Sequence, residues 1–175
     1  MTRSSAKTSK HKAPDTAVRI LFVGNLLQAD DGAGMHAFTL CQSLCWPAGV
    51  ELVDGGTGGV SLLPLFKQCR RIILVDAFLS PGHEGEIRQR CNVTADSLAG
   101  SEDLEHGGGI KGLLALVPLL LSPVPIIDLF AIGGGCFTPC SPTLSDGVAR
   151  ALPTLCRRLH RYVTEELMPS GSGCR

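Results

Sequence analysis

Apolar residues along the chain fall into short runs that are separated by polar, glycine-rich stretches. Three of these runs are rich in β-branched residues and have the length of strands buried on both faces of a parallel sheet, namely VRILFVGN (18–25), VELVDGG (50–56) and RRIILVDAF (70–78). The run IIDLFAI (126–132) has the same character, whereas GEIRQRCNV (85–93) alternates as an edge or antiparallel strand does. The pattern therefore predicts about five strands.

Segments with helical spacing of apolar residues connect these strands, at about 35–46, 60–68, 110–121 and 143–167. Strand and helix alternate along the chain, which predicts an α/β fold: a three-layer α/β/α sandwich around an open, mostly parallel sheet. No repeat or linker divides the chain, so we expect a single domain over residues 18–168. A basic tail (1–17) and a short frayed tail (169–175) flank it.

The longest apolar stretch, residues 113–132, does not have the pattern of a membrane-spanning helix. Pro118, Pro123 and Pro125 interrupt it, and Asp128 would place a charge in hydrocarbon. The chain has 16 basic and 16 acidic residues, and this balance argues against binding of a nucleic-acid phosphate backbone. We therefore expect neither membrane insertion nor a nucleic-acid partner.

The cysteine content and the N-terminal segment bear on the compartment. The eight cysteines would suggest a disulfide framework in a short secreted chain, but the N-terminal segment has no apolar signal region. A chain of 175 residues also buries enough apolar surface to fold without disulfides. We expect reduced thiols and a cytoplasmic protein.

Acidic residues follow the carboxyl ends of the first three predicted strands, where open parallel sheets bind their ligands. Asp30 and Asp31 come after the first strand, Asp54 ends the second and Asp76 ends the third. Two converging carboxylates repel each other unless a proton or a cation lies between them.

His106, in the polar segment before the helix at 110, would add a nitrogen donor to these acids. Asp31, Asp76 and His106 then form a three-ligand metal site with open positions. The alternative is that both acids only cap local structure and that His106 is an exposed loop residue. We expect Asp30 to be a solvated cap.

A nucleotide site is a second possibility at the first turn, but the sequence argues against it. The turn reads GNLLQADDGAG rather than G-x-G-x-x-G, and its two carboxylates would repel a phosphate. The chain also lacks a G-x-S-x-G nucleophile motif.

Four segments, in this order, resemble those of the [NiFe]-hydrogenase maturation endopeptidases: GNLLQADDGAG after the first strand, DGGTGG after the second, LVDAF in the third and HGGGIKGLLAL at the later helix. The similarity extends over about residues 19–167. It implies an α/β/α sandwich that removes a C-terminal extension from the hydrogenase large-subunit precursor after nickel insertion. After the last strand this chain has GGGCFTPCSPTL, where family members often have a Pro-Glu or Gln-Pro element.

The resemblance also implies roles for particular residues. Asp31, Asp76 and His106 correspond to the family's metal-contacting residues, and Asp31 and Asp76 are then the catalytic candidates. Asp54, Gly55 and Gly56 correspond to a turn that contacts the substrate.

The same resemblance implies that the nickel arrives on the precursor. We also expect the peptidase to act as a monomer. A non-catalytic binding or chaperone module for the same precursor, or a nucleotide-binding α/β protein, remains the alternative.

Overall fold

The structure is a computed structural model that describes residues 16–98 and 109–169. The described strands are β1 (Thr16–Phe22), β2 (Val50–Asp54), β3 (Cys69–Leu79), β4 (Ile87–Arg90) and β5 (Ile126–Gly134). The α-helices are α1 (Ala33–Cys41), α2 (Ile110–Leu120) and α3 (Asp146–Arg161); 3-10 helices lie at Ala29–Gly32, Gly59–Phe66 and Asp96–Leu98, and a π-helical turn follows α3 at Tyr162–Leu167.

Within the described residues the five strands form one sheet in the order β2-β1-β3-β5-β4. The first four of these are parallel, and β4 pairs antiparallel with β5 at the edge, as the alternating pattern of that segment predicted. β2 pairs with one edge of β1, and β3 pairs with the opposite edge of β1. The carboxyl ends of β1 and β3 therefore border the crevice where such sheets bind ligands.

Each face of the sheet carries its own apolar core, which confirms the predicted three layers. Ile20, Phe22 and Ile73 pack on the side of α1 and α3. Leu21 and Leu74 pack on the side of α2 and the 3-10 helix Gly59–Phe66. Neighbouring residues of one strand alternate between the two cores because successive side chains of a strand point to opposite faces.

Several element boundaries differ from those predicted. β1 begins at Thr16, two residues before the predicted domain start, and residues 1–15 of the predicted tail lie outside the described residues. The segment predicted as a helix at 60–68 is instead the 3-10 helix Gly59–Phe66, which contains Pro64. Pro64 cannot donate a backbone hydrogen bond, which weakens the helical hydrogen bonding of this segment. β3 extends to Leu79, so Asp76 lies inside the strand rather than at its end.

Asp128, the charge in the longest apolar stretch, lies fully buried in β5. Its carboxylate accepts hydrogen bonds from Arg71 Nη1 (2.5 Å), the Tyr162 hydroxyl (2.9 Å) and the Asn92 amide (2.9 Å). No helix among the described residues is long and apolar enough to cross a membrane.

The described cysteines are mostly free thiols, as predicted. Six of them are free: Cys41, Cys69, Cys91, Cys136, Cys140 and Cys156. Cys45 is in a disulfide bond, so the prediction of reduced thiols is wrong for that residue.

Candidate active site

The loop between β1 and α1 positions Asp31 at the crevice. The Asn25 side chain accepts a hydrogen bond from the Leu27 amide (3.0 Å), and the Asn25 amide donates to Asp31 Oδ2 (3.2 Å). The Asp31 amide donates to the Gln28 carbonyl (3.1 Å) inside the same turn. Asp31 is half-buried, and burial raises the pKa of its carboxyl although the Asn25 amide lowers it.

Gly24 allows this loop to fold back closely on itself. Its φ is +149°, and a Cβ atom on it would lie 2.1 Å from the Asp31 carbonyl oxygen. Only glycine fits such a contact with the backbone of the acid-bearing turn.

Asp76 lies in β3, one residue after Val75. Val75 pairs with Phe22, the last residue of β1. It is 2% exposed. The Ala77 amide donates to its Oδ1 (2.8 Å), whereas Oδ2 is buried and has no hydrogen-bond partner among residues 16–98 and 109–169. A buried, unpaired carboxylate oxygen is costly, and a proton or a cation would compensate for it.

Asp31 lies close enough to Asp76 for its charge to affect the ionisation of Asp76. The pKa of Asp76 is raised to about 7: burial raises it most, the Ala77 amide lowers it, and the negative charge of Asp31 adds to the rise. Asp76 is therefore close to its pKa at neutral pH, and its ionisation places a second negative charge near that of Asp31. A divalent cation at Asp76 Oδ2 would remove both the repulsion and the unpaired oxygen.

Asp54, Gly55 and Gly56 form the turn after β2, on the other side of β1. Asp54 is exposed, and its Oδ1 accepts the Gly56 amide (2.8 Å). Gly56 has φ +57° and its carbonyl accepts the Gly24 amide (2.8 Å), while the Gly55 amide donates to the Phe22 carbonyl (2.8 Å). These backbone groups are hydrogen-bonded within the protein, so the turn supports the β1 end of the Asp31 loop and leaves the Asp54 side chain exposed.

Asp30 differs from its predicted role as a solvated cap. It is fully buried, and its carboxylate accepts the amides of Gly135 (2.8 Å) and Ser145 (2.6 Å). The prediction was wrong because its partners lie more than one hundred residues away along the chain. The run of glycines at 133–135 was the available signal, since a Cβ on Gly134 would lie 2.6 Å from Asp30 Cβ.

His106, the predicted third donor, lies outside the described residues. The described part of the chain contains no group of three or more His, Cys, Asp or Glu side chains arranged to hold a metal ion. Asp31 and Asp76 are the two predicted donors that lie within the described residues.

Comparison with solved structures places this fold in one class. It matches the hydrogenase maturating endopeptidase HybD from Escherichia coli with a TM-score of 0.71 at 21% identity, covering 86% of this chain and 93% of that one. It also matches the [NiFe] hydrogenase maturation protease HybD from Thermococcus kodakarensis with a TM-score of 0.66 at 24% identity, covering 83% and 98% of the two chains. The chain has the α/β fold of these endopeptidases.

Sequence comparison then identifies the family. Residues 36–160 match the family model described as hydrogenase maturation protease. The chain is 32% identical over 154 residues to the hydrogenase expression/formation protein HupM of Azotobacter chroococcum mcd 1, covering 81% of this chain and 72% of that protein. It is 31% identical over 158 residues to HoxM of Azotobacter vinelandii, covering 81% and 73%. The chain belongs to the hydrogenase maturation protease family, and it is a peptidase.

Proposed function

We propose that this peptidase removes the C-terminal extension of a [NiFe]-hydrogenase large-subunit precursor after nickel insertion, and that Asp31, Asp76 and His106 recognise the nickel. The observation that carries the proposal is the buried, unpaired Oδ2 of Asp76 beside the carboxylate of Asp31. The names of the relatives support the hydrogenase as the client. Family membership favours this reading over a non-catalytic binding module or a nucleotide-binding protein.

The donor set suits an ion that stays on the substrate. Carboxylate oxygens are hard donors and imidazole is borderline, so they compete poorly for nickel that cysteine thiolates hold in the precursor. We therefore propose that the peptidase recognises the nickel on the precursor without removing it, and that the purified peptidase retains little metal. It works on this precursor as a cytoplasmic monomer.

The two acids take different parts in the proposed reaction. Oδ2 of Asp76 has no hydrogen bond to another described residue, so it contacts the ion and releases its proton to solvent as it does so. Asp31 is half-buried and reaches both the ion and solvent, so it accepts the proton of the water that attacks the scissile carbonyl and passes it to the amine released when the C–N bond breaks. Nickel held between them fixes the scissile bond in register with that water, and the turn at Asp54, Gly55 and Gly56 borders the bound peptide.

A cleavage assay with purified precursor tests the proposal. Wild-type protein should release a C-terminal fragment from nickel-loaded precursor and leave nickel-free precursor intact. Asp31→Ala, Asp76→Ala and His106→Ala should each lower the rate by about a hundredfold or more, because each removes a contact to the ion.

Asp146→Asn is the control, since Asp146 is almost fully exposed on α3. Metal analysis of the purified wild-type protein should find well under one nickel per chain. Equal cleavage of nickel-loaded and nickel-free precursor would contradict the role of nickel.

A further inference from the structure

We infer that Asp30 is a positioning residue that sets the placement of Asp31 relative to Asp76. The inference rests on the proposed function, because it treats these two acids as the reacting pair. Asp30 itself does not touch a substrate: it is fully buried, and both carboxylate oxygens accept backbone amides.

Three hydrogen bonds connect Asp30 to a distant segment of the chain. Oδ2 accepts the Gly135 amide, Oδ1 accepts the Ser145 amide, and the Asp30 amide donates to the Cys136 carbonyl (3.1 Å). Bonds from amides to an ionised carboxylate are stronger than bonds between neutral groups. Asp30 therefore joins the loop after β1 to the loop after β5 and to the start of α3.

The packing around Asp30 leaves little room for another arrangement. Gly134 approaches so closely that a Cβ on it would overlap the Asp30 side chain. Ser145 is the N-cap residue of α3, and its side chain accepts the Val148 amide. The Asp30 carboxylate thus lies at the N-terminal end of a 16-residue helix, where a negative charge is favoured.

β5 links this contact to the second acid. Ala131 of β5 pairs with Asp76 of β3, and four residues further on Gly135 binds Asp30. The next residue along the chain from Asp30 is Asp31, inside the short 3-10 helix Ala29–Gly32. One strand therefore fixes the position of Asp76 directly and that of Asp31 through Asp30.

The experiment compares Asp30→Asn and Asp30→Ala with Asp128→Asn, all measured as turnover per folded molecule on a nickel-loaded precursor that the wild-type protein cleaves. Asp128 is a matched control because it is equally buried and also accepts a backbone amide, but its hydrogen-bond partners come from β3, the end of α3 and the loop after β4 rather than from the loops that Asp30 joins. The folded fraction of each variant comes from urea denaturation.

We expect Asp30→Ala to lower kcat by about tenfold to a hundredfold with KM changed by less than about threefold, because misplacing a reacting group by about 1 Å has effects of this size. Asp30→Asn keeps the size of the side chain and one acceptor, so its kcat should fall between those of wild type and Asp30→Ala. It also keeps the test decisive if the alanine variant does not fold. Asp128→Asn should retain wild-type kcat.

A second readout does not depend on cleavage. The Asn25 amide donates to the Asp31 carboxylate, so its NMR chemical shift reports the position of Asp31. The shift should move in Asp30→Asn and stay constant in Asp128→Asn. An unchanged shift, or a kcat no lower than that of Asp128→Asn, would overturn the inference. If instead Asp31→Ala and Asp76→Ala cleave normally, the proposed function fails, and the amide shift still decides whether Asp30 positions the loop.

Discussion

Asp30 and Asp31 are neighbours in the chain, but the fold uses them in opposite ways. Asp30 points into the protein and binds two distant amides, whereas Asp31 stays half-buried at the crevice beside Asp76. Local sequence favoured Asp31 as a ligand and Asp30 as a solvated cap. Only the first of these is compatible with the structure, because the partners of Asp30 are brought in by β5 and α3.

The ionisation of Asp76 should make the stability of the protein depend on pH. Its pKa is about 7 in the folded protein against 3.8 ordinarily, so the folded state binds the proton more tightly than the unfolded state. The contribution of protonated Asp76 to the free energy of unfolding is complete at low pH and is lost as the pH rises from about 4 to 7.

The substitution Asp76→Asn should remove this dependence. The variant and the wild type should unfold at similar urea concentrations at pH 4. The variant should become more stable than the wild type by up to about 4 kcal/mol at pH 8, since each unit of pKa corresponds to about 1.4 kcal/mol. Urea denaturation at several pH values measures the difference, and a difference that does not change with pH would contradict it. Asp146→Asn, on the surface of α3, should show no such trend.

At the scale of elements, the apolar runs of the sequence predict the strands well. The segments that connect the strands are predicted less accurately. The segment at 60–68 has a helical pattern but contains Pro64, and it folds as a 3-10 helix. β3 extends past Asp76 because β5 continues to pair with it as far as Leu79. Strand length was therefore decided by a partner some fifty residues away.

The β1–α1 loop should depend on glycine at position 24. Gly24→Ala would put a methyl group 2.1 Å from the Asp31 carbonyl oxygen at a φ of +149°, so the turn would have to move. We expect the free energy of unfolding to fall by about 2 kcal/mol or more, together with a loss of cleavage. Gly112→Ala is the control, because a Cβ there meets no atom within 4 Å. In the exposed first turn of α2 it should raise stability by about 0.5–1 kcal/mol. Similar stabilities for the two variants would argue against this loop geometry.

At the scale of the whole molecule, stability and the candidate chemistry lie on different parts of the sheet. Asp76 faces the core on the side of α2, at the carboxyl edge, whereas Asp128 lies three positions earlier along β5 and faces α3. Asp128 binds Arg71, Tyr162 and Asn92, which come from β3, from the end of α3 and from the loop after β4. It holds those elements together without contacting the crevice.

Asp128→Ala should therefore lower stability without lowering turnover. We expect a loss of about 3 kcal/mol, because Arg71 would keep its charge in a largely buried position without its partner. Glu51→Ala should cost less than about 1 kcal/mol, since Glu51 pairs with Arg19 at the surface. Turnover per folded molecule should equal that of wild type in both variants, and a specific loss of turnover in Asp128→Ala would show that the two regions are coupled.

The sequence by itself determined the α/β class, the strands, the acids that follow them and the resemblance to the maturation endopeptidases, because these depend on local patterns of apolar, acidic and glycine residues. The tertiary structure decided which of two adjacent acids faces the crevice, and it decided that Asp76 binds its proton up to about pH 7. The orientation of Asp30 depends on hydrogen bonds to residues more than one hundred positions away, and the pKa of Asp76 depends on its burial in the folded sheet, so neither follows from a local pattern of residues.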